Sequence, residues 1–192
     1  MPCSDGFGAF NRVGRTYREA AAKVAGKTLV LGPPCRARGH RLRTRSGHCA
    51  QCDPKKIAFQ ERYNAQGYVY IAGSLSGRLI KIGTAVDIPQ RRRQLQAESH
   101  AGYSDWAMLF SIRVHEAGKV EDAASARLDN RRVFRPYFKD GVSQVATEVL
   151  QCSFSEALKA IRQTVGGIDK YQTWRALWNW RYEFTFPAAD VD

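Results

Sequence analysis

The segment PPCRARGHRLRTRSGHCAQC places Cys35, His40, Cys49 and Cys52 within 18 residues, with almost no apolar side chains between them. A stretch so poor in apolar residues cannot order itself by hydrophobic burial. Its thiols and imidazoles point to another solution. Cys-x2-Cys lets one tight turn present two thiolates to a single ion, and Cys35 with His40 completes a tetrahedral Cys3His set. Binding of zinc would then supply the folding free energy that the segment lacks. His48 competes with His40 as the nitrogen ligand. A residue directly before a ligand does not readily turn back to the same ion, so His40 is expected.

Charge sets this region apart from the rest. The net charge of the 192-residue chain is +12, and residues 1–60 carry 12 Lys/Arg against 3 Asp/Glu, whereas the remainder carries 18 against 15. A basic excess of this size favours a polyanionic partner, nucleic acid above all. The five Arg residues between Cys35 and Cys49 (Arg36, Arg38, Arg41, Arg43 and Arg45) make the Cys/His segment a candidate phosphate-binding surface. Hydrophobic content of 44% and charged content of 25% describe a globular chain. No long apolar run accompanies the charge, which argues against a membrane partner. The opening residues MPCSDGFGAFNRVGR have no apolar export signal, so the five cysteines are expected as thiols or metal ligands in a reducing cytoplasm. Cys3 has no partner at ligand spacing, and Cys152, in an apolar strand, is expected simply to be buried.

Along the chain, residues 1–32 read as a basic helix (9–26) followed by a loop at Gly32-Pro33-Pro34, and residues 33–56 as the zinc module. A polar connector with a short helix follows. Residues 67–165 have a different texture. YVYIAG and RLIKIG are β-rich runs separated by SLSG, a hairpin signal. Asp87, Pro89 and Gln90 form a helix N-terminus with an Asp cap. WAMLFSIRVH (106–115) reads as a strand, 119–132 as a helix, VFRPYFKDG as irregular, 143–152 as a strand, and 153–165 as a helix capped by Ser153 and stopped at Gly166-Gly167. The tail, 166–192, is rich in aromatic residues. The i, i+4 spacing of Trp174 and Trp178 suggests a helix packed on the main domain rather than a base-stacking surface with Trp180. The expected class is α+β: a small sheet of three or four mostly antiparallel strands flanked by helices, with the zinc module appended.

The hairpin carries unusual polar residues. In RLIKIG, Leu79 and Lys81 share one face and Ile80 and Ile82 the other; in YVYIA, Tyr68 and Tyr70 oppose Val69 and Ile71. One face is aliphatic, and the other gathers phenols and an ammonium. On the next helix Arg91 and Arg92 fall between Ile88 and Leu95, so at least one guanidinium turns toward the sheet. Tyr, Lys and Arg together suit a phosphodiester.

These residues resemble the GIY-YIG nuclease superfamily, in particular its phage-type branch with K-I-G as the second motif. Tyr68-Val69-Tyr70 stands in the GIY place and Lys81-Ile82-Gly83 in the YIG place, and Arg91 lies at the position of the family's helix arginine. Gly83 also has a local reason to be glycine, since the chain leaves the strand there and turns toward the helix. The resemblance implies a glutamate on a later helix holding one divalent ion, Mg2+ or Mn2+. Glu121 is the candidate, because Ala117, Glu121, Ala124 and Leu128 follow helical spacing and place it at the edge of a buried face. Glu116 is a turn too early and Asp122 points away; Glu148 resembles a later family glutamate and is read as supporting.

The implied activity is metal-dependent endonucleolytic hydrolysis of double-stranded DNA in a bacterial or phage-infected cytoplasm. Tyr70, Lys81, Arg91, Glu121 and Tyr68 would form the catalytic centre, and Arg92 with the knuckle arginines would grip the substrate. Tyr70 would be the base or would position water. A free phenol has a pKa near ~10, so Lys81 and Arg91 would need to favour its phenolate. The Cys3His segment is likewise similar to zinc knuckles found beside nuclease domains in phage proteins. Two other functions fit the same residues: a nucleic-acid-binding protein that keeps the nuclease-like fold without turnover, and an RNA- or ribosome-binding zinc protein. His100 and His115 have no companions at catalytic spacing and are expected at the surface.

Overall fold

The computed structural model describes residues 27, 29–44, 47–139 and 141–186. The basic helix expected over 9–26, Cys3 and Arg45 lie outside the described residues. The chain divides into two units, Met1–Tyr63 and Asn64–Asp192.

In the first unit, β1 (Leu29–Leu31) pairs antiparallel with β2 (Leu42–Thr44), and the connecting loop carries Cys35 and His40. A single bridge, Arg43 to Cys49, extends this ribbon to the second pair of ligands. Among the described residues of this unit the buried ones are few and small: Val30, Gly32, Thr44 and Ala50. Helix α1 (Lys55–Asn64) follows.

The second unit is built on a six-stranded antiparallel sheet in the order β6-β7-β4-β3-β5-β8. Its strands are β3 (Gly67–Ser74), β4 (Leu79–Ala85), β5 (Ala107–Val114), β6 (Arg132–Lys139), β7 (Val142–Leu150) and β8 (Thr173–Arg175). Helices α2 (Ile88–Ala97), α3 (Ala117–Ala126) and α4 (Phe154–Val165) cover it. Period-2 alternation sends Val69, Ile71, Ile80 and Ile82 into one aliphatic cluster with Ala117 and Ala124 of α3 and Phe154, Ala157 and Ile161 of α4. Tyr70, Ala72 and Leu79 enter a second cluster on the opposite face with Leu95 of α2 and Trp106. The central strands are therefore buried on both sides, and each large aliphatic side chain contributes roughly 1.5–3 kcal/mol.

The local signals for helix ends are realised. Ser153 and Glu156 close a reciprocal capping box at the start of α4, and Gly166 ends it in the left-handed conformation at φ 67°. Burial pushes the Cys152 thiol up to about 12, in keeping with its expected place in the core.

Four expectations are corrected. The sheet has six strands, not three or four. VFRPYFKDG is not irregular: it is most of β6, paired with β7. Pro136 conceals that strand in the sequence but is tolerated because β6 is a sheet edge. The helix expected over 119–132 is shorter, ending at Ala126, with a 3-10 turn at Asp129–Arg131 leading into β6. The described residues of the tail form no α-helix. They add β8 to the open edge of β5, with Trp174 opposite Ser111, and then a 3-10 turn at Asn179–Tyr182. An unpaired strand edge and the burial of Tyr182 over Gly73 outweigh the helical spacing of the tryptophans.

Candidate active site

The centre of the second unit begins with a glycine. Tyr70 on β3 pairs in register with Gly83 on β4. A Cβ on Gly83 would lie 2.5 Å from the Tyr70 hydroxyl and 2.6 Å from Cζ, so the phenol occupies the space a side chain would need. Gly83 lies within β4 and has no left-handed backbone, which corrects the expectation that it marks the departure from the strand. Its role is to let Tyr70 lie across the neighbouring strand.

Asp87 then sets the phase of α2. Its carboxylate accepts from the Gln90 N–H at 2.6 Å, Pro89 lies in the first turn, and Arg91 consequently returns over the sheet. Arg91 Nε donates to Tyr70 Oη at 3.0 Å, and Nη1 donates to Gln94 Oε1 at 3.3 Å. Burial opposes the Arg91 charge, but Tyr70, Glu98 and Glu148 overcome it and hold the group above the ordinary arginine range. Tyr70 itself is fully buried.

Lys81 shares this face and is only 2% exposed, yet it is ion-paired: Nζ lies 2.7 Å from Glu148 Oε1. Pairing of β4 with β7 is limited to Ile80–Leu150 and Lys81–Val149, so Glu148 lies where that ladder ends. Lys81 holds the Glu148 carboxyl below the usual carboxylate range. His100 is buried beside them rather than exposed, which corrects the surface expectation; His115 is exposed as expected. Among the described residues His100 Nε2 has no hydrogen-bond partner, and it lies 3.8 Å from Glu148 Oε1. Burial, reinforced by the Lys81 charge, pushes the imidazole down to about 4, so it is neutral at pH 7. Tyr137 contacts the ring edge-on at 5.0 Å, and the indole of Trp106 donates to the His100 carbonyl at 2.8 Å.

Glu121 arrives from α3, half-buried, and accepts from Thr84 Oγ1 at 3.0 Å. Burial pushes its carboxyl above the ordinary range against the pull of Lys81 and the Thr84 hydroxyl. Glu121 and Glu148 line one cavity of about 390 Å3 together with Asp129 and Arg132. Glu148 and Asp129 are already paired with Lys81 and Arg132, whereas Glu121 is a desolvated carboxylate with no ion-pair partner among the described residues and could hold a hard divalent cation such as magnesium. Asp122 also lines this cavity but is exposed, and Glu116 precedes α3 as its cap.

The structure thus gathers Tyr70, Lys81, Arg91 and Glu148, with Glu121 entering the cavity that Glu148 lines. Tyr68 and Arg92 are directed elsewhere, into an adjoining groove of about 470 Å3. Sequence reasoning missed His100, Thr84 and Arg132. Thr84 was accessible to it, since alternation from Ile82 places the hydroxyl beside α3; His100 was not, because a loop histidine has no periodic signal.

In the first unit, the ligand atoms of Cys35, His40, Cys49 and Cys52 lie within 4.8 Å of one another. Cys35 Sγ and Cys52 Sγ are 3.8 Å apart, and His40 Nδ1 lies 3.6 Å from Cys49 Sγ and 3.4 Å from Cys52 Sγ. Tetrahedral zinc with bonds of about 2.0–2.3 Å requires ligand separations of about 3.4–3.8 Å. The cluster is compatible with structural zinc. The Arg38 N–H donates to Cys35 Sγ at 3.3 Å and lowers that thiol to about 6. His48 stands apart from the cluster. Arg43 donates to the Pro33 carbonyl through Nε and Nη2, and Arg41 to the Gly32 carbonyl, so both brace the loop. Arg36 and Arg38 are exposed.

Among the described residues no helix is long and apolar enough to cross a membrane. No curated protein and no solved structure matches the chain. A family match does exist, and it begins at the first residue of β3 and ends at the last residue of α4, enclosing Tyr70, Lys81, Arg91, Glu121 and Glu148. Over residues 67–165, just over half of its length, the chain matches the T5orf172 domain, and it belongs to that family.

Proposed function

We propose that the second unit is a metal-dependent endonuclease of the GIY-YIG type that hydrolyses phosphodiester bonds in double-stranded DNA. The T5orf172 match suggests a nuclease-like or DNA-binding role at this coarser level. The observation that carries the finer reading is the 3.0 Å contact of Arg91 with Tyr70 Oη, made across a strand that only glycine leaves open.

In this reading Arg91 offsets the charge that grows on the phosphoryl oxygens. A phosphate entering the site competes for the Arg91 guanidinium and draws it from Tyr70, freeing Oη to hydrogen-bond the attacking water and orient it. Lys81, held by Glu148, supplies a fixed positive charge beneath the phosphate. Glu121 would hold a divalent ion, which when bound supplies Lewis-acid stabilisation of the phosphoryl and leaving oxygens. The Cys3His unit would hold zinc structurally, with Arg36 and Arg38 presented to the DNA backbone.

A second reading is favoured by the complete burial of Tyr70, which keeps it from substrate unless Arg91 moves. In that reading the protein binds nucleic acid without cutting it. Supercoiled plasmid incubated with Mg2+ or with EDTA, using wild type, Glu121→Gln and Arg91→Ala, separates the two. Nicking by wild type with Mg2+ alone is expected. A gel shift with no cutting under Mg2+ or Mn2+ would transfer the assignment to binding.

A further inference from the structure

We infer that the groove beside the Tyr70–Arg91 centre binds an unpaired stretch of the DNA strand being cut, with bases stacked on Trp174 and Trp178. The inference rests on the nuclease reading and adds to it the form of the substrate. The groove measures about 470 Å3, is walled by Tyr68, Arg92, Met108, Ser111, Trp174 and Trp178, and has no carboxylate among its lining residues. That volume falls in the roughly 300–1,000 Å3 range of ligand-sized pockets.

The tryptophans are exposed for a reason other than disorder of their backbone. Trp174 is 46% exposed and Trp178 47%, while Ala176 between them and Tyr182 after them are buried. The backbone is pinned: Ala176 N–H donates to the Leu109 carbonyl at 2.9 Å, and Arg175 donates to Asn179 Oδ1 at 3.0 Å while its guanidinium lies 5.0 Å from the Phe154 ring centre. A tail so anchored holds its indoles at the surface as a preformed platform, and such platforms bind bases whose faces are free of a pairing partner.

Continuity selects the strand rather than a protein partner. Tyr68 lies two residues before Tyr70 on the same face of β3, and Arg92 directly follows Arg91 on α2, so strand and helix are shared by groove and centre. Arg92, exposed at the rim of a groove whose described lining residues include no acid, fits a phosphate adjoining the stacked base. Duplex DNA presents only base edges and offers these rings no stacking face.

The test titrates the full chain with a ten-residue oligothymidylate, following tryptophan fluorescence, and with a blunt duplex by anisotropy. Trp174→Ala and Trp178→Ala are expected to weaken oligothymidylate binding by about 5- to 150-fold each. Trp178→Phe, which keeps a stacking face, should retain most of the affinity, and duplex affinity should change less than about two-fold. Thermal melts of the alanine variants confirm folding. Unchanged oligothymidylate binding in both alanine variants overturns the inference, and plasmid cutting by wild type then leaves the nuclease reading in place. Tryptophan-dependent binding in a protein that never cuts supports the groove and overturns the nuclease reading instead. Self-association that Trp178→Ala abolishes, with no response to the oligonucleotide, assigns the patch to a second copy of the chain and overturns the inference.

Discussion

The two units achieve order by opposite means. In the first, four ligand atoms from 18 residues converge within 4.8 Å around a core of small residues. In the second, a lysine, a tyrosine and a histidine are buried among strands covered on both faces, and the key partners Lys81 and Glu148 stand 67 positions apart. Local ligand chemistry can shape a loop because each bond to a metal is strong. A buried polar centre exists only if the whole sheet forms first, since its charges are stable there only when paired.

The sharpest way to break this comparison is to deny the Cys3His cluster the zinc proposed for it. Structural zinc contributes about 10–16 kcal/mol in small metal-dependent modules. Chelation, or Cys49→Ser, is expected to abolish protection of the amides between Cys35 and Cys52 in hydrogen exchange. The amides of β3 and β4 should keep theirs, and loss in both units together would show that the effect of the metal is not local to the Cys3His segment.

Within the second unit, Glu148→Gln and Lys81→Met should differ. The first leaves an ammonium buried without its counter-charge; the second leaves a carboxylate that is already 47% exposed. Urea unfolding should show a loss of about 2–3 kcal/mol for Glu148→Gln, reduced from the ~3–5 of a fully buried pair, and about 1 kcal/mol for Lys81→Met. Equal losses would mean that Lys81 reaches water.

Acid should act on the same centre. His100 is lowered to about 4 when folded, so the unfolded chain binds its proton first. Stability from this group is present in full above about 6.5 and is lost as pH falls from there toward 4, by about 2–3 kcal/mol. Lys81, Glu148, Arg91 and Glu98 surround the ring, and the Glu148 contribution disappears only below its ordinary pKa of about 4.5, as its own depressed value is approached. Urea midpoints of His100→Asn against pH should be flat from 6.5 to 5; an unchanged slope would remove His100 as its source.

A modest effect is expected at Gly83. Alanine there presses on the Tyr70 phenol and should cost about 1–2 kcal/mol. Combining it with Tyr70→Ala should restore part of that loss, because the clash disappears with the ring. Strict additivity in a double-mutant cycle would show that the close approach is not what requires glycine.

Much of the frame was legible in the residues. Asp87 and Ser153 announced their helices because a cap is a local hydrogen bond between neighbours in sequence. The helical period showed that Arg91 or Arg92 turns to the sheet, and the family resemblance chose Arg91. The division of Tyr68 from Tyr70 was not legible: both lie on one strand face, and only the crossing of α2 decides that one meets Arg91 and the other faces the tryptophan groove. The edge strands were missed because pairing along a sheet edge depends on which partner is open, a fact about distant chain.

The sequence by itself determined the Cys3His spacing, the caps, the alternation of the central hairpin and an arginine turned to the sheet after it. These depend on spacings of a few residues, where covalent geometry limits the choices. Only the tertiary structure decided the neutral burial of His100, the pairing of Lys81 with Glu148, the cavity shared by Glu121 and Glu148, and the exposure of Trp174 and Trp178. Each depends on where water is excluded, and that is settled when strands and helices far apart in sequence close over the same space.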